Sequence, residues 1–165
     1  MKLAKIFLAI IALVVVSCKP NPNPVNPGGG NTDQTKWEKS GDIVGSWELT
    51  SWSESTTAKP RVYISLYDDG TFDLYQQAYT IEWVLYTGDY TLSNSVLSGV
   101  YADGKAWGNT YEIDFAENPT RMRLQSIGNS VNVSIYTQTA IPAEVVEMAK
   151  RIEPNTRSEV IERFL

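Results

Sequence analysis

Arg61 to Tyr75 reads RVYISLYDDGTFDLY, and this stretch decides the fold. Val62, Ile64 and Leu66 alternate with Arg61, Tyr63, Ser65 and Tyr67; Asp68-Asp69-Gly70 reverses the chain; Phe72 and Leu74 then alternate with Asp73 and Tyr75. A period of two puts successive side chains on opposite faces of a strand, so the pattern predicts a hairpin with one apolar face and a glycine in its turn. Tyr63 and Tyr75 are predicted to stand opposite each other on the outer face with Tyr67 nearby, a seat for a covering element. Asp68 and Asp69 are the closest pair of acids, and paired carboxylates can serve as acid and base in glycoside cleavage. In a tight hairpin, however, aspartate is favoured for turn geometry, so the pair reads as a turn. Asp68, Asp69 and Asp73 fit no calcium-loop spacing.

The same alternation recurs outward in both directions. Gly45 to Ser53 precedes the hairpin; Trp83 to Leu92 and Val96 to Tyr101 follow it, separated by Ser93-Asn94-Ser95, with a further turn at Asp103-Gly104-Lys105. Trp107, Asn109, Tyr111, Ile113 and Phe115 alternate with polar residues, as do Met122 and Leu124, then Val131, Val133 and Ile135. Asp114 and Glu112 fall on the polar face and are expected to be solvated. Short strands at this spacing predict an all-β fold, an up-and-down antiparallel barrel of about eight strands. A barrel of about that size has an interior just wide enough for side chains or one small ligand. Trp47, Phe72, Trp83, Trp107, Tyr111 and Phe115 are the candidate lining, suited to a small hydrophobic ligand; the competing expectation is that the rings fill the interior. A protein- or glycan-interaction module would instead use outer aromatics: Trp52, Tyr63, Tyr67 and Tyr75.

Beyond the last strand, Pro142 opens a predicted helix from Ala143 to Ile152, with Val145, Met148, Ala149 and Ile152 at helical spacing and Pro154 beyond it. Thr156 with Glu159 forms a capping-box pattern for a second helix carrying Val160, Ile161, Phe164 and Leu165. Both are expected to pack on the barrel wall as a C-terminal helical segment.

The start of the chain is of another kind. Lys2 and Lys5 precede an unbroken apolar run from Ile6 to Val16, the pattern of an export signal. That run is short of the roughly 20 residues a membrane span needs. Val15-Val16-Ser17-Cys18 resembles the bacterial lipobox, which implies cleavage before Cys18 and a diacylglyceryl group on its sulfur. Residues 1–17 are thus read as a lipoprotein signal peptide. Residues 18–40 are read as the lipidated cysteine followed by a Pro/Asn/Gly-rich tether, and 41–165 as the domain. KPNPNPVNPGGG, Lys19 to Gly30, lacks apolar side chains to pack beyond a lone valine, and its prolines enforce extended geometry. By resemblance to sorted lipoproteins, Lys19 in place of aspartate after the cysteine implies the outer membrane, on its periplasmic face or the cell surface.

Composition removes whole classes of chemistry. The 165 residues contain no histidine, and Cys18 is the one cysteine, so Cys/His zinc sites, Ser-His-Asp relays and intrachain disulfides cannot be assembled. The 14 Lys and Arg, two of them in the leader, stand against 19 Asp and Glu, and they are scattered. This is not a phosphate-binding surface, and no nucleic-acid partner is expected. The sequence implies no enzyme, no cofactor and no metal; the membrane is the one expected partner beyond a ligand, protein or glycan.

Gly45-Ser46-Trp47, heading an all-β meander that ends in a helix, resembles the Gly-X-Trp signature of lipocalins and related calycin barrels. Gly45 to Val145 is similar to the short lipocalin-like domains of bacterial lipoproteins. The resemblance implies that Trp47 plugs the closed end of the barrel. It also implies an arginine stacked on that ring, here drawn from Arg61, Arg121 or Arg123.

Overall fold

The computed structural model describes residues 35–54, 59–118, 120–128, 132–152 and 161–165. The leader, Cys18 and the tether up to residue 34 lie outside the described residues, as do Val131 and Thr156 to Val160 of the expected second helix.

Eight strands follow one another: β1 (Gly45–Trp52), β2 (Arg61–Leu66), β3 (Thr71–Gln77), β4 (Val84–Ser93), β5 (Val96–Tyr101), β6 (Tyr111–Ala116), β7 (Arg121–Ser126) and β8 (Val133–Gln138). Each pairs antiparallel with its neighbours, and β1 pairs with β8, so the sheet closes into an up-and-down barrel. The closing seam carries a register shift between Leu49 and Ser51. Here the Thr50 hydroxyl donates to the carbonyl of Ile135.

The hairpin is built as its sequence dictates. Tyr63 lies opposite Tyr75 and Leu66 opposite Phe72. Gly70 takes a φ of +84°, which an L side chain resists, while the Asp69 carboxylate accepts from the backbone N–H and the hydroxyl of Thr71. Asp69 is therefore occupied in shaping the turn. Between β4 and β5, Asn94 and Ser95 both have positive φ (50° and 60°), the requirement of a two-residue hairpin loop whose twist matches its strands.

Inward-facing Trp47, Leu49, Val62, Ile64, Leu66, Phe72, Leu74, Val84, Leu97, Ile113, Met122, Leu124 and Tyr136 form one continuous core. Each fully buried apolar side chain of this size contributes about 1.5–3 kcal/mol. A second cluster lies outside the barrel, where Tyr63, Tyr75, Trp83 and Leu85 are covered by Val145 of the short helix α1 (Ala143–Met148). The tyrosine seat on the outer face is thus filled by the helix expected to use it.

Four expectations about the elements need correction. The first helix stops at Met148 instead of Ile152: Lys150–Arg151 forms a strand, β9, parallel to β4. β4 pairs with β3 through Val84 to Asp89 but with β5 only from Gly88 onward, leaving the edge at Val84–Leu85 open. Lys150 and Ile152 donate to the carbonyls of Trp83 and Leu85, so sheet pairing wins over helix propensity. Second, Ile161 to Leu165 is not helical; it has no regular secondary structure, and its backbone is bonded by Gln76 at the barrel end. Third, the strand expected from Trp107 begins only at Tyr111; Trp107 sits in a loop folded back on β5, its N–H on the carbonyl of Gly99. Fourth, β8 has the opposite parity to that expected, for Ser134 and Tyr136 face the core while Val133 and Ile135 are half-buried outside.

Residues 35–40, assigned to the tether from sequence, also pack on the barrel. Glu38 bridges to Phe115 in both directions, and the Trp37 ring is covered by Arg121 and Arg123 (5.4 and 4.7 Å). Beside it Asp114 is buried, not solvated: Arg123 and Lys39 reach its two oxygens at 2.5 and 2.9 Å. Burial alone would raise its pKa, but the two cations outweigh that and lower it.

Candidate functional site

The two ends of the barrel differ. Where β1 begins, the Trp47 indole donates to the carbonyl of Ile43 at 2.9 Å and its ring lies 6.4 Å from that of Phe115. Residues 35–43 cross this end, leaving an outer cleft of about 710 Å³ between Thr35, Glu38, Gly41, Asp42 and the β6–β7 turn. Trp47 is fully buried at this end of the barrel. Among the described residues no arginine is found stacked on it as expected: Arg61 lies over Trp83 at 4.8 Å, and Arg121 and Arg123 hold Trp37.

The interior nearer the opposite end is lined by rings meeting at their edges. Phe72 contacts Tyr101 and Trp107 at centroid distances of 5.7 and 5.2 Å, Tyr86 contacts Tyr101 at 5.6 Å, and Trp107 contacts Tyr111 at 6.3 Å. Edge-to-face pairs of this kind add about 0.5–1.5 kcal/mol each beyond burial. Glycine makes the arrangement fit. A Cβ on Gly99 would stand 2.3 Å from the Trp107 ring, and one on Gly88 would meet the Val100 carbonyl at 2.1 Å and the Phe72 ring at 2.9 Å. Two polar atoms in this interior lack an aligned partner: the Trp107 indole N–H and the Tyr136 hydroxyl, the latter with Ser134 beside it. Burial pushes the Tyr136 phenol well above its ordinary pKa, so it stays protonated and able to donate.

At the end where β1, β3 and β5 finish, Ile161 to Leu165 enters the barrel. The inward amide of Gln76, buried at 1% exposure, donates to the carbonyl of Glu162 (2.8 Å) and accepts from the N–H of Phe164 (2.9 Å). Tyr86 and Tyr101 donate to the carbonyls of Ile161 and Leu165 at 3.0 and 2.7 Å. Arg163 forms a two-point pair with Asp103 (3.0 and 2.5 Å) and lies over the rings of Tyr101 and Tyr86 at 4.3 and 5.0 Å. Phe164 packs on Trp52 at 5.1 Å, and Leu165 joins the core. The Arg163 side chain holds the Asp103 carboxyl down at about 2.

Of the residues predicted to line a pocket, Phe72, Trp107 and Tyr111 come together, Trp47 and Phe115 meet at the other end, and Trp83 joins neither group. Trp83 lies in the outer cluster, 5.7 Å from Tyr63. Sequence reasoning missed Gln76, Tyr86, Tyr101, Asp103 and Arg163. Gln76 was in phase with Phe72 and Leu74, and Tyr86 with Val84, so alternation could have placed both inside. Nothing local could have paired Asp103 with Arg163. Of the outer aromatics, Tyr63 and Tyr75 are buried and Trp52 is partly covered by Phe164, while Tyr67 stays exposed. Among the described residues no cluster of three or more His, Cys, Asp or Glu is placed to hold a metal ion.

Compared with family models, curated proteins and solved structures, the chain matches none of them.

Proposed function

We propose that this protein is a lipid-anchored, lipocalin-like barrel at the outer membrane that holds a small hydrophobic ligand among its interior rings, without catalysing a reaction on it. The anchor reading rests on the leader and the lipobox-like Val15 to Cys18. The ligand reading rests on one observation, the buried Trp107 indole N–H with no acceptor, its ring set against Phe72 and Tyr111. An unsatisfied donor in such surroundings costs about 1–3 kcal/mol, which a mostly apolar ligand carrying one acceptor oxygen would recover. The lipocalin likeness is supported by strand order, closure and the position of Gly45-Ser46-Trp47. The acids lend no support to hydrolysis: Asp69 shapes a turn, and Asp103 and Asp114 are held in ion pairs. Burial of Tyr63 and Tyr75 removes half of the outer aromatic surface that a protein- or glycan-binding reading requires.

The test is titration of the full chain with an apolar fluorescent probe bearing a single carbonyl. We expect saturable, blue-shifted emission, and binding about ten-fold weaker in Trp107→Phe, which keeps the ring and removes the donor. A flat titration overturns the ligand reading.

A further inference from the structure

We infer that the end of the barrel framed by Gln76, Tyr86, Tyr101, Asp103 and Trp52 is a peptide-recognition site. It takes an extended segment of the pattern aliphatic-x-Arg-aromatic-aliphatic from a partner chain, and Ile161–Leu165 occupies it in cis.

The contacts are those of a site that reads a peptide rather than of a sheet that continues. No strand ladder holds the segment. Its backbone is read by side chains: the Gln76 amide offers a donor and an acceptor to Glu162 and Phe164, as a neighbouring strand would, and two tyrosine hydroxyls donate to the flanking carbonyls. These bonds are blind to sequence, so they would hold any extended chain. Selectivity lies in what stands between them. Asp103 meets a guanidinium with both oxygens, the planar fit that distinguishes arginine from lysine, and the Tyr86 and Tyr101 rings lie against its faces. Trp52 then receives an aromatic ring, and the core receives an aliphatic side chain. The Glu162 side chain makes no contact of this kind, which is why that position is free in the pattern.

Gln76 supports the inference through the kind of group that satisfies it. A primary amide at 1% exposure in an apolar barrel is costly unless both its donor and acceptor are met, and both are met by peptide backbone alone. The site is carried by groups other than Trp107, so an apolar probe and a peptide probe can fail separately.

The test uses the full chain with Arg163→Glu and Phe164→Ala, which weakens the resident segment, and a fluorescein-labelled peptide Ile-Glu-Arg-Phe-Leu read by polarisation. The double variant should bind the peptide at least about ten-fold more tightly than the wild-type chain. A peptide with Glu in place of Arg should lose about ten-fold, as should adding Asp103→Asn to the protein. A variant with the wild-type far-UV spectrum that binds no better than wild type, or binding indifferent to the peptide's arginine, overturns the proposal. If the double variant does not fold, a specific protease site is placed within residues 153–160 of the otherwise wild-type chain and cut in the native state. Entry of labelled peptide with release of the resident fragment, detected by mass, supports the proposal. Failure of the peptide to enter, or loss of the folded spectrum on cutting, makes the segment part of the core and overturns it.

Discussion

Asp103 illustrates how a single carboxylate can tie two distant parts of a chain. It faces Arg163 from the extended segment, Lys105 from its own loop at 3.9 Å, and the Tyr86 and Tyr101 phenols beyond the guanidinium. Its folded pKa of about 2 lies below the unfolded value near 3.8, because Arg163 bonds the charged form. The folded state thus binds this proton less tightly than the unfolded one. The stabilisation is complete above about pH 4 and is lost as the pH falls toward 2. Hydrogen exchange at the Phe164 amide, which rests on Gln76, should report this: protection falls across that window in the wild type. In Asp103→Asn it should be weaker by at least about ten-fold already at neutral pH and flat below it, since a charge-assisted pair of this kind contributes about 1.5–3 kcal/mol. Equal protection in both proteins would remove Asp103 from the account.

At the scale of elements, the alternating stretches were legible because each inward residue is apolar and each turn carries its own signal. Phe72-Leu74, Ile113-Phe115 and Met122-Leu124 needed no distant information. The misreadings fall where tertiary context reverses a local preference. β8 turns Ser134 and Tyr136 inward because its register with Met122 and Leu124 leaves no choice, although Val133 and Ile135 are the greasier pair. Trp83 is out of phase with Val84 and Tyr86, so its own alternation put it outside; its size drew it wrongly to the core. Of the candidate site, the rings Phe72, Trp107 and Tyr111 could be read. The extended segment could not, because Val160, Ile161 and Phe164 also fit a helical stripe. The helix α1 depends on one anchor, Val145, the buried residue on its inner face. Val145→Ala should cost roughly 1–3 kcal/mol of local stability. The change should appear as faster exchange at the Lys150 and Ile152 amides with the β6–β7 amides unchanged; a uniform loss would mean that the helix and the barrel unfold as one.

At the scale of the whole molecule, a closed sheet follows a stretch that the sequence reading takes as an export signal. Under the proposed anchoring, two acyl chains on Cys18 hold the protein durably, each buried methylene contributing about 0.8 kcal/mol. A Cys18→Ser chain should therefore leave the membrane fraction, while an apolar probe binds it as it binds the isolated wild type. Retention of that variant with the membrane would place the anchor elsewhere. Closure by β1 and β8 has a further result: side chains separated by most of the chain, such as Trp52 and Phe164, share one rim, so a site there draws on residues that no local stretch of sequence contains.

The short strand β9 completes this picture from the outside. Where β4 bends away from β5 it would present bare amides and carbonyls, the kind of sticky seam along which sheets of separate molecules fuse. Lys150 and Arg151 lie across that seam, closing it with backbone and facing outward with positive charge, which repels a second copy arriving by the same route. Two residues at the foot of a helix thus cover backbone groups that the sheet would otherwise leave open to a stranger's strand.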